Sequence, residues 1–190
     1  NQGSPTHGQS RVLTGGTFDI LGAPIGSPDF CASHTDVRVK KALPTLAAIS
    51  ELDDPQIALR LQRRCQGFAK LGYSARVVPP SVHSKELIAF DAVQRDTFTC
   101  YTSWTPTDSQ WNQATRGYKH AGLGIRSTAR HAAPAYLASY TATLKHCAEI
   151  DTSYQWEGND PESGIGKCLL AFNTTAAEGD RMPTKAMPAA

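Results

Sequence analysis

The amino-acid sequence predicts a mainly α-helical fold, a small helical bundle of about four to five helices with a short extended segment near its start and irregular tails. Apolar residues recur at helical spacing in several stretches, and Ser or Asp residues suited to helix N-caps precede them. Strand character is confined to one short run, Thr17 to Leu21. The chain has 190 residues, which fits one ordinary domain or a piece of a larger protein, and its hydrophobic content of 40% is slightly lean for a globular core.

Three regions of the chain differ in composition. Residues 1–16 are rich in Gly, Ser, Thr and Gln without periodicity, and we expect a flexible N-terminal arm there. Residues 17–147 carry the helical pattern and form the predicted domain. Residues 148–190 are rich in Gly, Asp, Pro, Ser and Thr, with one apolar patch from Cys168 to Phe172. We therefore expect a loosely structured C-terminal tail.

The extended segment and the first helix come at the start of the domain. The run ending at Leu21 enters a Gly- and Pro-containing bend at residues 22–26. Asp29 is a candidate N-cap for a helix that begins near Phe30. Because proline removes a donor and clashes with the preceding turn, Pro44 predicts either a kink or two short helices.

The clearest helical pattern follows Asp53 and Asp54, either of which suits the N-cap position, and Pro55 suits the first helical position. The helix is predicted to end near Gly72. Six residues would form its apolar face: Ile57, Ala58, Leu61, Cys65, Phe68 and Ala69. Three arginines lie off this face and form a basic strip: Arg60, Arg63 and Arg64.

Three more helices are predicted further along the chain. Ser84 is the candidate cap of an amphipathic helix with five candidate core residues: Leu87, Phe90, Val93, Phe98 and Tyr101. Asp108 is the candidate cap of a short helix that carries Trp111. Ser127 or Thr128 would cap an alanine-rich helix over residues 129–146, in which Pro134 favours a separate first turn.

The net charge of the chain bears on whether it binds nucleic acid. The chain has 19 basic and 17 acidic residues, a net charge of +2, so a surface for nucleic acid would have to be local. The basic strip is the strongest candidate, and Lys40 and Lys41 would extend it. A solvated helix face explains the same arginines. Likewise, Trp104, Trp111 and Tyr118 suit either base stacking or a small core.

Catalytic and metal-binding motifs are incomplete. The segment Gly164 to Cys168 lacks the first glycine and the hydroxyl of a phosphate-binding loop, so we interpret it as a turn in the tail. Cys31 with His34, and His146 with Cys147, do not make a zinc quartet. We expect no catalytic residues, no metal and no cofactor. No apolar run is long enough to cross a bilayer, and five widely spaced cysteines favour a reducing, intracellular compartment.

An ordered series of motifs resembles the region after the catalytic palm of non-LTR retrotransposon (LINE-type) reverse transcriptases. The motifs are Phe18 to Gly26, Asp54-Pro55-Gln56, Trp111-x-Gln113-Ala114, Gly122 to Ser127, and the alanine-rich Ala132 to Ser139. The resemblance covers roughly residues 17–147. It departs from the family at Ala121, at Thr115-Arg116-Gly117 and at Pro134.

The resemblance implies a thumb and connector that hold a template and primer duplex. Leu21 and Gly22 would correspond to the primer-grip turn, and the basic strip with Lys40 and Lys41 would contact the nucleic-acid backbone. The family's catalytic aspartates belong to a palm that these residues do not include, so we expect this chain alone not to be an enzyme. A palm would be its covalent or structural partner, and the chain would be a fragment.

Two other functions suit the same residues. The chain would be a small helical protein-interaction domain without nucleic-acid binding if its arginines are only solvated and the alanine-rich helix packs against a protein. It would be a non-functional remnant if the retroelement copy has decayed.

Overall fold

A computed structural model describes residues 16–184 and confirms the mainly helical fold. Residues 1–15 of the predicted arm, and residues 185–190 of the predicted tail, lie outside the described residues. None of the helices within residues 16–184 combines the length and the apolar character needed to span a membrane.

The predicted extended segment is a short β-hairpin. Strand β1 (Phe18–Ile20) pairs antiparallel with β2 (Ala23–Ile25). Leu21 and Gly22 form the two-residue turn with φ angles of 50° and 80°. Two positive φ angles match the right-handed twist of a hairpin and favour Gly or Asn, so a leucine at the first position is unusual.

Seven α-helices follow within the described residues. Their bounds are α1 (Pro28–Ser50), α2 (Pro55–Leu61), α3 (Gly72–Val77), α4 (Ser84–Thr102), α5 (Asp108–Ala114), α6 (Thr128–Ile150) and α7 (Gly164–Thr175). A π-helical turn over residues 62–66 continues α2, and short 3-10 turns cover residues 68–70, 118–120 and 178–180.

Hydroxyl and carboxylate side chains begin most of these helices. Asp54 caps α2 and Ser127 caps α6, as predicted. The caps of α1 and α5 are instead Ser27 and Thr107, and the predicted aspartates lie inside the first turns. Carboxylates in a first turn interact favourably with the helix dipole, which is why they resemble caps in the sequence.

The main core lies where α1 packs on α4 and α3 packs on α6. It contains eight buried residues: Val39, Ala42, Leu46, Leu71, Ala75, Leu87, Phe90 and Ala132. A second cluster joins α1, α2, α4 and the loop before α6 through Ile49, Ala58, Phe98, Tyr101 and Ile125. Four of the five predicted core residues of α4 are buried, and Val93 is partly buried.

The predicted apolar face of the helix after Pro55 is wrong at most of its positions. Ile57 is 53% exposed, and Leu61 and Cys65 also face solvent. The buried positions are Ala58, Gln62 and Gln66. Regular α-helical geometry ends at Leu61 rather than near Gly72. In the π-helical turn that follows, the Gln62 side chain and the Gln66 carbonyl oxygen make buried hydrogen bonds to Gln94 on α4.

The two internal prolines do not divide their helices. Pro44 lies inside α1 and Pro134 inside α6, and each helix is continuous across its proline. Both prolines are exposed. A helical proline has no N–H, so the carbonyl of the residue four positions earlier loses its partner. On the solvent side water can hydrate that carbonyl, and the cost is small enough for packing to overcome.

The expectation of a loose tail is wrong for residues 164–175. These residues form α7, which packs on α6 through a third core cluster of Leu137, Ile165, Cys168 and Leu169. The supposed tail turn is the first turn of this helix, and the Ser163 hydroxyl caps it by accepting from the Gly166 N–H at 2.9 Å. A Cβ at Gly166 would overlap the Asp160 carbonyl oxygen, so the glycine permits this close approach.

Candidate functional site

A strongly basic groove of about 980 Å³ lies between the π-helical turn, the loop over residues 115–127 and the start of α6. Six cationic residues line it: Arg63, Arg64, Arg116, Lys119, Arg126 and Arg130. Two histidines, His120 and His131, also line it. Among the described residues, no aspartate or glutamate lines this basic groove.

The π-helical turn positions the first two arginines. Behind it, the Gln62 Nε2 donates to the Gln94 carbonyl oxygen at 2.6 Å and to Gln94 Oε1 at 3.0 Å. The Gln94 Nε2 in turn donates to the Gln66 carbonyl oxygen at 2.6 Å. These buried glutamines fix one side of the turn to α4, and Arg63 and Arg64 lie on the side that lines the groove. Such π turns occur frequently at functional sites.

The second wall of the groove is a glycine-containing loop held in one conformation. The Gln113 Nε2 donates to the carbonyl oxygens of His120 and Ala121 at 2.6 and 3.0 Å. Gly122 is buried, and a Cβ there would overlap backbone carbonyl groups of the preceding residues. Gly124 has a φ of 72°, and its lack of a side chain leaves room for the Arg63 Cδ. The loop therefore requires glycine at both positions.

Arg63 bridges the two walls. The carbon of its guanidinium lies 4.6 Å from the centre of the Tyr118 ring, a cation–π arrangement. This contact orients the guanidinium without neutralising its charge. Tyr118 itself is 63% exposed, so much of its ring remains open to solvent.

Hydrogen bonds to neutral groups hold Arg130 at the edge of α6. Its guanidinium donates to Asn112 Oδ1 at 2.6 Å and, more weakly, to Thr115 Oγ1 at 3.4 Å. The N-terminus of the same helix is satisfied by Asp91, whose carboxylate accepts from the backbone N–H of Thr128 at 2.6 Å. The start of α6 therefore contributes side chains to the groove, and the Thr128 N–H is already paired with Asp91.

The charges in the groove have no counter-ions among the residues that the structure describes. Within residues 16–184, none of the six groove cations forms an ion pair. Concentrating like charges without compensation produces a local positive potential that attracts polyanions. The net charge of +2 conceals this feature, because acidic residues elsewhere balance the total.

The structure brings together only part of the site predicted from the sequence. Arg63 and Arg64 of the basic strip line the groove, and Arg60 does not. Lys40 pairs with Asp36 at 2.6 Å on α1, and Lys41 is exposed on the same helix. Neither lysine lines the groove, so the predicted extension of the strip onto α1 is not part of it.

The predicted primer-grip-like turn forms a separate exposed feature. Leu21 is 96% exposed at the tip of the hairpin. Its carbonyl oxygen accepts from the Tyr73 hydroxyl at 3.0 Å, and the Gly22 carbonyl oxygen accepts from Arg38 at 2.8 Å. These contacts fix the turn to α1 and α3 without placing it in the groove.

The aromatic residues Trp104, Trp111 and Tyr118 lie in different surroundings, and Trp104 remains 45% exposed. Trp104 and Trp111 pack against Phe98 with ring centres 6.0 and 5.6 Å apart, and Trp111 joins the second core cluster. Tyr118 instead lies at the groove.

Sequence reasoning missed four groove cations: Arg116, Lys119, Arg126 and Arg130. Their signal is visible in the sequence, since residues 109–148 contain no Asp or Glu. The four cations are spread over a loop and a helix start, and helical periodicity does not group them. A search for long stretches without acidic residues would have found them.

Among residues 16–184, no three His, Cys, Asp or Glu side chains cluster as a metal ion would require. Comparison of the chain with protein-family models, with curated proteins and with solved structures finds no match in any of the three.

Proposed function

We propose that this chain binds the phosphate backbone of a template and primer through the basic groove, as the thumb and connector of a retroelement RNA-directed DNA polymerase. One observation carries the proposal: six cations without counter-ions line a groove that no described carboxylate enters. Lysine and arginine supply most of the phosphate contacts in nucleic-acid complexes, and such contacts need no base sequence.

The chemistry of the groove suits phosphate. Five of its six cations are arginines, whose planar guanidinium groups donate two parallel hydrogen bonds to phosphate oxygens. Orientation of Arg63 by Tyr118 and of Arg130 by Asn112 reduces the side-chain entropy lost on binding. The motif from Gly122 to Ser127, which carries part of the family resemblance, lies in the loop that forms one wall.

A palm domain is the proposed structural partner, and the catalytic aspartates would belong to it. Several apolar side chains are exposed on the hairpin and the neighbouring face of α1: Ile20, Leu21, Ile25 and Val37. Exposed apolar groups that lie near one another are typical of an interface. The hairpin is therefore where we place the palm, on a surface distinct from the groove.

The test is binding of an RNA–DNA hybrid by fluorescence anisotropy across a salt series. Phosphate contacts predict that the logarithm of the affinity falls linearly with the logarithm of salt concentration, with a slope near 0.9 for each contact. Replacing both groove arginines, Arg63→Gln with Arg64→Gln, should weaken binding and flatten the slope by about 2.

The matched control is Lys40→Gln with Lys41→Gln, which removes the same charge outside the groove. We expect this control to leave the slope unchanged. An equal effect of both double variants would mean that only net charge matters, and it would contradict the groove assignment. Unchanged binding by the arginine variant would contradict it as well.

A further inference from the structure

We infer that the basic groove holds an unpaired strand of nucleic acid, with one base stacked on the ring of Tyr118. This inference rests on the proposed function and makes it more specific: besides contacting the backbone of the duplex, the groove would hold the template where it continues as a single strand.

The first observation is the arrangement of Tyr118. The Arg63 guanidinium covers one face of its ring at 4.6 Å, while the residue remains 63% exposed. With one face in contact with the cation and the residue still 63% exposed, the ring has surface open to a planar partner. Base stacking on an aromatic ring accepts any base, since every base has a π-face.

The second observation is the chemistry around the ring. The groove that Tyr118 lines is also lined by Arg116 and Lys119, which are near it in sequence, and by Arg64 and Arg130 from other parts of the chain. A backbone bound by these cations would place its bases within reach of an aromatic side chain. Basic grooves with aromatic platforms are typical of proteins that bind single strands.

The third observation is size. The groove volume of about 980 Å³ falls in the range of roughly 300–1,000 Å³ found for small-ligand pockets. Such a space accommodates a short stretch of unpaired strand, in which bases are free to rotate towards a side chain. A duplex keeps its bases stacked internally, so it offers the groove its backbone but no base for Tyr118.

The experiment compares a blunt RNA–DNA hybrid with the same hybrid carrying a single-stranded extension, made of RNA in one arm and DNA in another. The variants are Tyr118→Ala and Tyr118→Phe, since phenylalanine retains the stacking ring. Because stacking contributes about 1–3 kcal/mol per base, Tyr118→Ala should weaken binding of an extended hybrid by roughly 5- to 150-fold. Tyr118→Phe should bind as the wild type does. With the blunt hybrid the loss for Tyr118→Ala should be smaller, because only the orientation of Arg63 is lost there.

A 2-aminopurine base in the extension gives a direct readout of stacking. Its fluorescence should be quenched on binding to the wild type and to Tyr118→Phe, and not on binding to Tyr118→Ala. Equal affinity of wild type and Tyr118→Ala for both extended hybrids would overturn the inference. So would an equal loss on blunt and extended hybrids. In either case the proposed function stands if the Arg63→Gln, Arg64→Gln variant still loses affinity for the blunt hybrid. If the wild type binds no hybrid at all, both the proposed function and this inference are wrong.

Discussion

Lowering the pH from neutral to about 4 should destabilise this chain through one buried imidazole. His83 immediately precedes α4 and is fully buried. Its Nδ1 lies 2.9 Å from the Thr35 hydroxyl oxygen on α1, and its Nε2 has no hydrogen-bond partner within the described residues. Burial lowers the pKa of His83 from 6.5 to about 4, because the charged imidazolium loses its hydration there.

The sign and the size of the effect follow from proton linkage. In the unfolded chain His83 takes up a proton as the pH falls through 6.5, whereas in the folded chain it remains neutral until about pH 4. Protons therefore favour the unfolded state across this window, and stability falls as the pH falls. At about 1.4 kcal/mol for each pH unit between the two pKa values, the free energy of unfolding should decrease by about 3 kcal/mol.

Urea denaturation followed by circular dichroism at a series of pH values measures this decrease. The comparison variant is His83→Asn, whose amide retains a polar group near the position of Nδ1 but does not titrate. It should be less stable than the wild type at pH 7, since a smaller side chain leaves a cavity. The difference should shrink by about 3 kcal/mol on lowering the pH to 4. The other five histidines are common to both proteins. Parallel stability profiles for the two proteins would refute the reasoning.

Two further predictions concern stability measured by the same method. Leu169→Ala should reduce the free energy of unfolding by about 3 kcal/mol, because the side chain is buried between α7 and α6. The control Leu170→Ala, at a position 64% exposed, should change it by less than about 0.5 kcal/mol. Equal effects would mean that α7 does not dock. Leu21→Asn should increase the free energy of unfolding by about 1 kcal/mol, because asparagine tolerates positive φ and the exposed leucine side chain has little packing to lose. A decrease would show that the leucine makes contacts that its exposure does not reveal.

Helix positions were predicted best where apolar spacing and packing agree. In α4 the residues Leu87, Phe90, Phe98 and Tyr101 recur at helical spacing, and all four are buried. The hydrophobic effect determines such a helix almost alone, because one face is apolar and the other is not. The second half of the helix after Pro55 could not be predicted in this way, since buried glutamines rather than apolar residues decide which side faces the core.

The candidate site was predicted only in part for a related reason. Arg63 and Arg64 are neighbours in sequence and were found from it, whereas Arg130 joins them only because α6 folds back beside the π-helical turn. The same fold leaves Lys40 and Lys41 outside the groove. The groove cations come from the π-helical turn, a loop and the start of α6, so their separation in the sequence does not show that they lie together.

The sequence by itself determined that this chain is mainly helical, where most of its helices begin, and that any affinity for nucleic acid must be local. These properties depend on periodicity, on capping residues and on charge counts, which are local or additive quantities. Three features were decided only by the tertiary structure. Buried glutamines hold the π-helical turn so that two arginines line the groove, α7 belongs to the core, and Tyr118 is exposed beside Arg63. Such features depend on which distant residues meet, because packing and hydrogen bonding act between segments that sequence periodicity treats separately.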